Sequence, residues 1–165
     1  MADHVDRVVA QWGVQRPDLD VSAMAVIGRL SRSAQLISGE LRRTFSEHDL
    51  DASSFDVLAT LRRSAPPHRL TPGELMRSSM VTSGAITQRL DRLQARGLVA
   101  RTPNELDGRG VLVALTDDGR ALIDQALPDH IDTENRLLAG LSPAQRDALA
   151  DALRNLLESL GDTTG

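Results

Sequence analysis

The sequence predicts a mainly α-helical fold that contains one small β-hairpin. Hydrophobic residues make up 41% of the 165 positions but aromatic residues only 2%, so leucine, alanine and valine must fill the core. Such a core favours packed helices over a β-sandwich. Apolar residues recur at spacings of three and four along most of the chain, and one pair of short β-branched runs interrupts that pattern. The length suits one compact domain.

Two amphipathic helices are predicted in the first 47 residues. The first carries its apolar residues, Trp12 among them, at helical spacing and is expected to end at Gly13. The second opens at Asp20 or Ser22, and its apolar stripe runs to Phe45. It is the longest helix that the pattern predicts.

Three shorter helices are predicted next. The segment DASSFDVLATLRRS indicates a helix with its cap near Asp51 or Ser53. Thr71 and Glu74 flank a proline in a capping-box pattern, which predicts the start of the second helix. The third is expected from about Thr82 to Arg96, because a glycine follows it.

A hairpin and two further helices complete the chain. The runs GLVAR and GVLVALT are typical strands, and the turn residues of TPNELDGR separate them. Thr116 then caps a helix in which Pro128 is a candidate kink. The last helix lies within residues 142–160, with a Ser-Pro start, a glycine at its end and a series of leucines between.

Three short helices followed by a hairpin form the plan of a winged helix-turn-helix, in which one helix enters the major groove of DNA and the hairpin reaches flanking DNA. The charge distribution fits this plan. Residues 62–109 hold nine arginines against four acidic residues, a net charge of +5, whereas the rest of the chain carries −9. A basic segment on an acidic body indicates a local site for a polyanion. The alternative is an uneven, solvated surface.

Candidate DNA contacts lie along the third short helix and at the hairpin tip. Gln88 has the donor and acceptor pair needed for a bidentate contact with adenine. Small hydroxyl residues near the helix start let a phosphate approach the backbone N–H groups. At the tip, Arg109 is expected to enter a narrow minor groove, with Asp107 orienting its guanidinium. The full set of predicted contacts is Ser79, Thr82, Ser83, Thr87, Gln88, Arg92, Asp107 and Arg109.

The segments ITQRLDRLQARGLVAR and DGRGVLVALTDDGRAL make the chain resemble the MarR family of bacterial transcriptional regulators. The resemblance implies a homodimer in which the N- and C-terminal helices of both subunits intertwine, and in which each subunit presents one winged helix to a palindromic double-stranded operator. It divides one continuous MarR-type domain into the N-terminal and long dimerisation helices (1–47), the DNA-binding region (48–116) and the C-terminal dimerisation helices (117–165). The leucines of the last helix offer such an interface, but they could equally pack within one subunit.

Arg89 shares the inner face of the predicted recognition helix with Ile86, Leu90 and Leu93. A buried guanidinium needs an acid or an anionic ligand. Asp56 lies in the middle of a helix that must pack nearby. An ion pair between Asp56 and Arg89 that only fixes the recognition helix is therefore one interpretation.

A ligand site is the other interpretation. Trp12 offers a flat apolar wall, Asp56 an acceptor for a ring N–H, and Arg89 and Arg101 donors for a planar anion. This set resembles the urate-responsive, PecS-like branch of the MarR family, which implies ligand-binding roles for Trp12, Asp56, Arg89 and Arg101. The effector implied is a small anion, urate or an organic acid such as aconitate, that releases a repressor from DNA. Otherwise Trp12 is a core side chain and Arg101 a phosphate contact.

Other classes of protein receive less support. The four histidines are scattered without metal-ligand spacing, and neither a glycine-rich phosphate loop nor a nucleophile elbow is present, so no enzyme, cofactor or metal is expected. The absence of cysteine excludes disulfides and thiol-based oxidation sensing. No apolar run approaches transmembrane length, which predicts a cytoplasmic protein without membrane contact. A winged-helix module that binds proteins, or a DNA-binding regulator without a ligand pocket, stays open as an alternative.

Overall fold

The computed structural model describes residues 2–79, 86–104 and 110–163. Its helices are α1 (His4–Gln15), α2 (Ser22–Glu47), α3 (Ala52–Arg63), α4 (Pro72–Ser78), α5 (Ile86–Ala95), α6 (Asp117–Leu137) and α7 (Pro143–Ser159). Its strands are β1 (Arg69–Leu70), β2 (Val99–Pro103) and β3 (Val111–Leu115). The predicted class, mainly α-helical with a small β-hairpin, is confirmed.

Side-chain caps begin α3 and α4 where the sequence predicts, whereas α2 begins at Ser22 without a side-chain cap at its N-cap residue, Val21. At α3, the Asp51 carboxylate accepts a hydrogen bond from the Ser54 N–H at 2.6 Å, so Asp51 and not Ser53 is the cap. At α4, the Thr71 hydroxyl accepts from the Glu74 N–H while the Glu74 carboxylate accepts from the Thr71 N–H, which confirms the capping box. These bonds satisfy N–H groups that have no partner inside the helix.

One boundary differs from the prediction. Helix α1 continues past Gly13 to Gln15, because the Arg16 N–H still donates to the Trp12 carbonyl at 2.7 Å. Pro128, the candidate kink, lies inside the continuous helix α6. The helix expected over 82–96 is observed as α5, and residues 80–85 lie outside the described residues.

The sheet has three antiparallel strands in the order β1-β3-β2. The predicted hairpin is confirmed, with β2 and β3 paired from Val99 opposite Leu115 to Pro103 opposite Val111. Strand β1 was not predicted, because two residues are too short for any alternation to show in the sequence. It extends the sheet by pairing Arg69 with Ala114.

The core lies between helices α3 to α6, the sheet and the last turns of α2. Phe45 of α2 stacks on Phe55 of α3 with ring centroids 4.4 Å apart, which anchors the long helix to the DNA-binding region. The Thr44 and Thr133 hydroxyls bond at 2.8 Å between α2 and α6 in the same buried layer. The largest fully buried apolar side chains are Leu58, Leu61, Leu75, Leu90, Leu93 and Ile123.

The terminal helices leave apolar side chains exposed in the single subunit. Helix α7 contains no buried residue, so the interpretation that its leucines pack inside their own subunit is wrong for Leu149, Leu157 and Leu160. The exposed large apolar residues of α1, the turn after it, α2 and α7 are Trp12, Val14, Leu19, Met24, Val26, Ile27, Leu36, Ile37, Leu149, Leu157 and Leu160. Within the described ranges, none of the helices has both the length and the hydropathy to cross a membrane.

Candidate nucleic-acid interface and anion site

Helix α5 has a buried face and an exposed face. Leu90 and Leu93 are fully buried, and Ile86 packs against the core beside them. Thr87 and Gln88 are exposed on the opposite side. The orientation predicted for the recognition helix is therefore confirmed, and its polar face is open to a groove of DNA.

The other predicted DNA contacts are distributed unevenly. Arg92 is exposed on α5, one turn after Gln88. Ser79 follows α4, and its hydroxyl is buried without a hydrogen-bond partner among the described residues. Thr82, Ser83, Asp107 and Arg109 lie outside the described residues.

Six of the nine arginines in the basic segment fall into two groups. Three form ion pairs inside the subunit: Arg62 with Asp124 at 2.7 Å, Arg96 with Asp49 at 3.0 Å and Arg101 with Asp91 at 2.5 Å. Arg69, Arg77 and Arg92 are exposed and form no ion pair with any described residue. Those three cations are open to an external anion. Arg69 and Arg77 were not among the predicted contacts, since the arginine excess of the segment was their only signal.

Arg101 connects the wing to the recognition helix. From β2, its Nη1 contacts the Asp91 carboxylate at 2.5 Å, and its Nη2 donates to the Thr87 carbonyl at 3.3 Å. The Arg101 side chain is 26% exposed and that of Asp91 56% exposed. A ligand that withdrew Arg101 from Asp91 would therefore remove a direct link between the two DNA-binding elements.

Asp56 lines a cavity of about 530 Å³ between α3 and α6. Phe55 and His130, whose ring centroids lie 4.7 Å apart, form an aromatic part of its wall. The Nδ1 atom of His130 is buried without a hydrogen-bond partner among the described residues. The complete lining is Phe55, Asp56, Ala59, Arg62, Arg63, Ile123, Asp124, Leu127 and His130. This is a concave site with both aromatic and charged walls.

Arg89 is half-buried and acts on the start of α3. Burial of the Asp51 carboxylate opposes its ionisation, but hydrogen bonds from the Ser54 N–H and hydroxyl, with the charges of Arg92 and Arg89, outweigh that effect and lower the pKa of Asp51. The Arg89 guanidinium is thus close enough to Asp51, the N-cap of α3, to act on it electrostatically.

Trp12 lies apart from the Asp56 cavity, and neither Arg89 nor Arg101 is among the residues that line that cavity. The surface around Trp12 is an exposed face of α1 formed by Arg7, Ala10, Gln11, Trp12, Val14 and Gln15. The Trp12 side chain is 43% exposed, so the interpretation of Trp12 as a core residue is wrong for the single subunit. One subunit does not bring Trp12 to the Asp56 cavity.

The fold and the exposed face of α5 define a winged helix-turn-helix protein. A model of the MarR family matches residues 48–110. The transcriptional regulator PecS of Dickeya dadantii is 41% identical over 145 residues, which cover 88% of this chain and 87% of PecS. The chain belongs to the MarR family of DNA-binding transcriptional regulators, and to its PecS-like branch.

Solved structures agree with this assignment. Sco3205, a MarR family regulator from Streptomyces coelicolor solved in complex with DNA, superposes with a TM-score of 0.78 at 26% identity, covering 86% of this chain and 89% of its own. BpsR of Bordetella bronchiseptica, whose DNA binding is regulated by 6-hydroxynicotinic acid, gives a TM-score of 0.72 at 30% identity over 79% of this chain and 91% of its own. Both share the helical arrangement around the winged helix.

Proposed function

We propose that this protein is a homodimeric, cytoplasmic repressor that leaves a palindromic operator when it binds a small planar anion. The observation that carries the proposal is the position of Arg101. Arg101 donates hydrogen bonds to the Asp91 carboxylate and the Thr87 carbonyl of the recognition helix. The resemblance to urate-responsive regulators also gives this arginine a role in binding the effector. One side chain would then serve both DNA binding and effector recognition.

In this proposal α5 enters the major groove with its exposed face. Gln88 reads a base, Thr87 and Arg92 contact the backbone, and Arg69 and Arg77 neutralise neighbouring phosphates. Their exposure and their lack of ion pairs among the described residues support these roles. The further contacts proposed from the sequence are Ser79, Thr82, Ser83, Asp107 and Arg109.

The proposed effector site takes the Asp56 cavity from the structure and adds Arg89 and Arg101 from the resemblance, because neither arginine is among the residues that line the cavity. A volume of about 530 Å³ suits a small organic ligand, and the Phe55–His130 wall suits a planar one. The regulation of BpsR by a planar carboxylic acid supports the same chemical class. Two guanidinium groups would supply charge-assisted hydrogen bonds to the anion.

Release from DNA would follow from competition for Arg101. An anion bound to Arg101 displaces Asp91, so the wing and the recognition helix lose their link and the geometry of both half-site contacts changes. By linkage, the effector lowers DNA affinity by the factor by which DNA lowers effector affinity.

The test is binding of the purified protein to DNA from its own promoter region, across a salt series, with urate, with aconitate and with neither. We expect the affinity for DNA to fall steeply with salt, because phosphate contacts release counterions. We also expect urate to lower the affinity for DNA. If aconitate but not urate lowered the affinity for DNA, the proposed pocket would stand, with an organic acid as its ligand. Binding untouched by either anion, and equal in wild type and Arg89→Ala, would contradict the effector site.

A regulator without an effector is the second candidate, and the Arg101–Asp91 pair itself favours it, because a structural role explains that contact fully. In that case Arg101→Ala weakens operator binding, and no anion changes the affinity of the wild type.

A further inference from the structure

Asp91 places a carboxylate on the exposed face of the recognition helix. It follows Thr87 by four residues and Gln88 by three, so the three side chains share one side of α5. All three residues are exposed, and the Asp91 side chain is 56% exposed. Asp91 is also the only acidic residue in the sequence of α5. Its negative charge therefore faces any duplex that this helix enters.

An acid on a helix that binds DNA opposes binding unless something compensates its charge. Each DNA strand carries a phosphate at about every 3.4 Å, and like charges brought together on binding lower the affinity. Salt weakens this repulsion, because the screening length shortens as the ionic strength rises. The carboxylate must therefore either accept a hydrogen bond from a cytosine amino group or be neutralised by a cation of the protein.

Arg101 supplies that cation from the wing. Its Nη1 contacts an Asp91 carboxylate oxygen at 2.5 Å, and its Nη2 donates to the Thr87 carbonyl at 3.3 Å. Both acceptors lie on one turn of α5, so the guanidinium is held at one point beside the carboxylate. Arg92, the neighbour of Asp91 in the sequence, is exposed and forms no ion pair with any described residue. The neutralising charge thus comes from β2 and leaves Arg92 available to DNA.

We infer that Arg101 masks the charge of Asp91, so that the recognition helix meets DNA without a net negative charge on this face. The inference rests on the proposed entry of α5 into the major groove. Arg101 is then a positioning residue for DNA binding and not a phosphate contact, because its Nη atoms already bind acceptors of α5. Whatever withdraws Arg101 weakens DNA binding through the exposed carboxylate, even when α5 keeps its place.

A double-mutant cycle on operator DNA tests this role. The variants are Arg101→Gln, Asp91→Asn and the double substitution, which remove charge and keep most of the size of each side chain. Fluorescence anisotropy measures operator affinity at several salt concentrations. Masking predicts about tenfold weaker binding for Arg101→Gln at low salt, with a smaller loss at high salt. The double variant should return to within about twofold of wild type, because no acid is left to mask.

The other roles of the pair give different patterns. Under masking, Asp91→Asn binds at least as tightly as wild type, since the charge of Arg101 is released. If Arg101 contacts a phosphate directly, the double variant stays as weak as Arg101→Gln. If the pair only fixes the wing to α5, Asp91→Asn is weakened as well. If Asp91 reads a base, Asp91→Asn loses its preference for cytosine at one operator position. Each of these three results would overturn masking.

The Arg16–Asp18 pair, in the turn after α1, offers a matched control. Its atoms lie 2.6 Å apart, and its side chains are 50% and 60% exposed. Arg16→Gln should keep operator affinity, and a loss equal to that of Arg101→Gln would overturn masking in favour of an effect of overall charge. Circular dichroism and thermal melting of each variant verify folding.

The wild type separates two kinds of failure. A wild type that shows no salt-dependent binding to the operator overturns the proposed function, and masking with it. A wild type that binds, with no recovery of affinity in the double variant, overturns masking alone and leaves the proposed function standing.

Discussion

At the scale of single residues, the partner of each arginine decides its role. Arg101 is bound to Asp91, whereas Arg69, Arg77 and Arg92 are exposed without an ion pair among the described residues. A surface ion pair contributes only about 0–1 kcal/mol, so the Arg101–Asp91 contact is weak enough for a ligand to replace. This makes the pair a suitable point for competition between effector and DNA-binding geometry.

Removing the charge of Asp91, which in this proposal competes with the effector for Arg101, should strengthen effector binding. Asp91→Asn keeps the size of the side chain and removes its charge, so Arg101 becomes available to the anion at lower cost. We expect urate affinity to rise by up to about fivefold, in keeping with the strength of an exposed ion pair. Isothermal titration of urate into wild type and variant checks this, and Asp49→Asn, which weakens the hold on Arg96 instead and lies outside the cavity, serves as the matched control. Equal affinities for wild type and Asp91→Asn would contradict competition for Arg101.

Gln88 should affect sequence discrimination more than overall affinity. Gln88→Ala removes a bidentate base contact, which corresponds to about 1–3 kcal/mol of preference for the correct base pair. Arg77→Ala should instead weaken binding to every sequence alike and flatten the salt dependence. Competition titrations with operator and single-base variants measure both effects. The exposed Gln125→Ala on α6 is the control, and loss of discrimination there as well would argue against base reading by Gln88.

At the scale of elements, the wing is fixed to the start of α6. The Thr116 N–H donates to the Leu98 carbonyl at 3.2 Å, and the Thr116 hydroxyl donates to the Gly97 carbonyl at 2.6 Å. Gly119, in the first turn of α6, packs directly on the same Leu98 carbonyl. The absence of a side chain at Gly119 allows the hairpin and the helix to approach so closely.

Adding one methyl group at this contact should therefore be costly. In Gly119→Ala the new Cβ would lie 1.9 Å from the Leu98 oxygen, which is backbone and cannot rotate away. We expect a loss of about 2–3 kcal/mol in the free energy of unfolding, typical of an overpacked site. Urea denaturation measures it. Gly73→Ala in the first turn of α4 is the control, since its nearest neighbour is the end of a flexible side chain, Arg77, at 3.6 Å. Similar stabilities for the two variants would contradict the packing argument.

At the scale of the whole molecule, the subunit divides into a packed half and an incompletely covered half. The core joins α3 to α6, the sheet and the end of α2, while α7 buries no residue at all. Apolar surface of this extent on α1, α2 and α7 is typical of a permanent subunit interface. DNA binding to a palindrome would then depend on contacts far from the recognition helix.

A charge placed in that surface should separate the subunits. Leu157→Glu puts a carboxylate where a 48% exposed leucine lies in the single chain. We expect a shift from dimer to monomer in sedimentation velocity, with operator affinity reduced at least tenfold because one half-site contact is lost. Gln125→Glu on the exposed side of α6 adds the same charge and should stay dimeric. A dimeric Leu157→Glu with normal operator binding would exclude α7 from the interface.

The sequence by itself determined the local features of this protein. Helix period, the caps at Asp51 and Thr71 and the strand and turn pattern of the hairpin all act over a few residues, and the structure confirms the elements they predict. Only the tertiary structure decided which distant segments of the chain are in contact. Strand β1, the Arg101–Asp91 pair and the separation of Trp12 from Asp56 depend on how distant segments pack. Spacing along the chain carries no information about such distances, because they are set by the length of α2 and by the surfaces that bury its two ends.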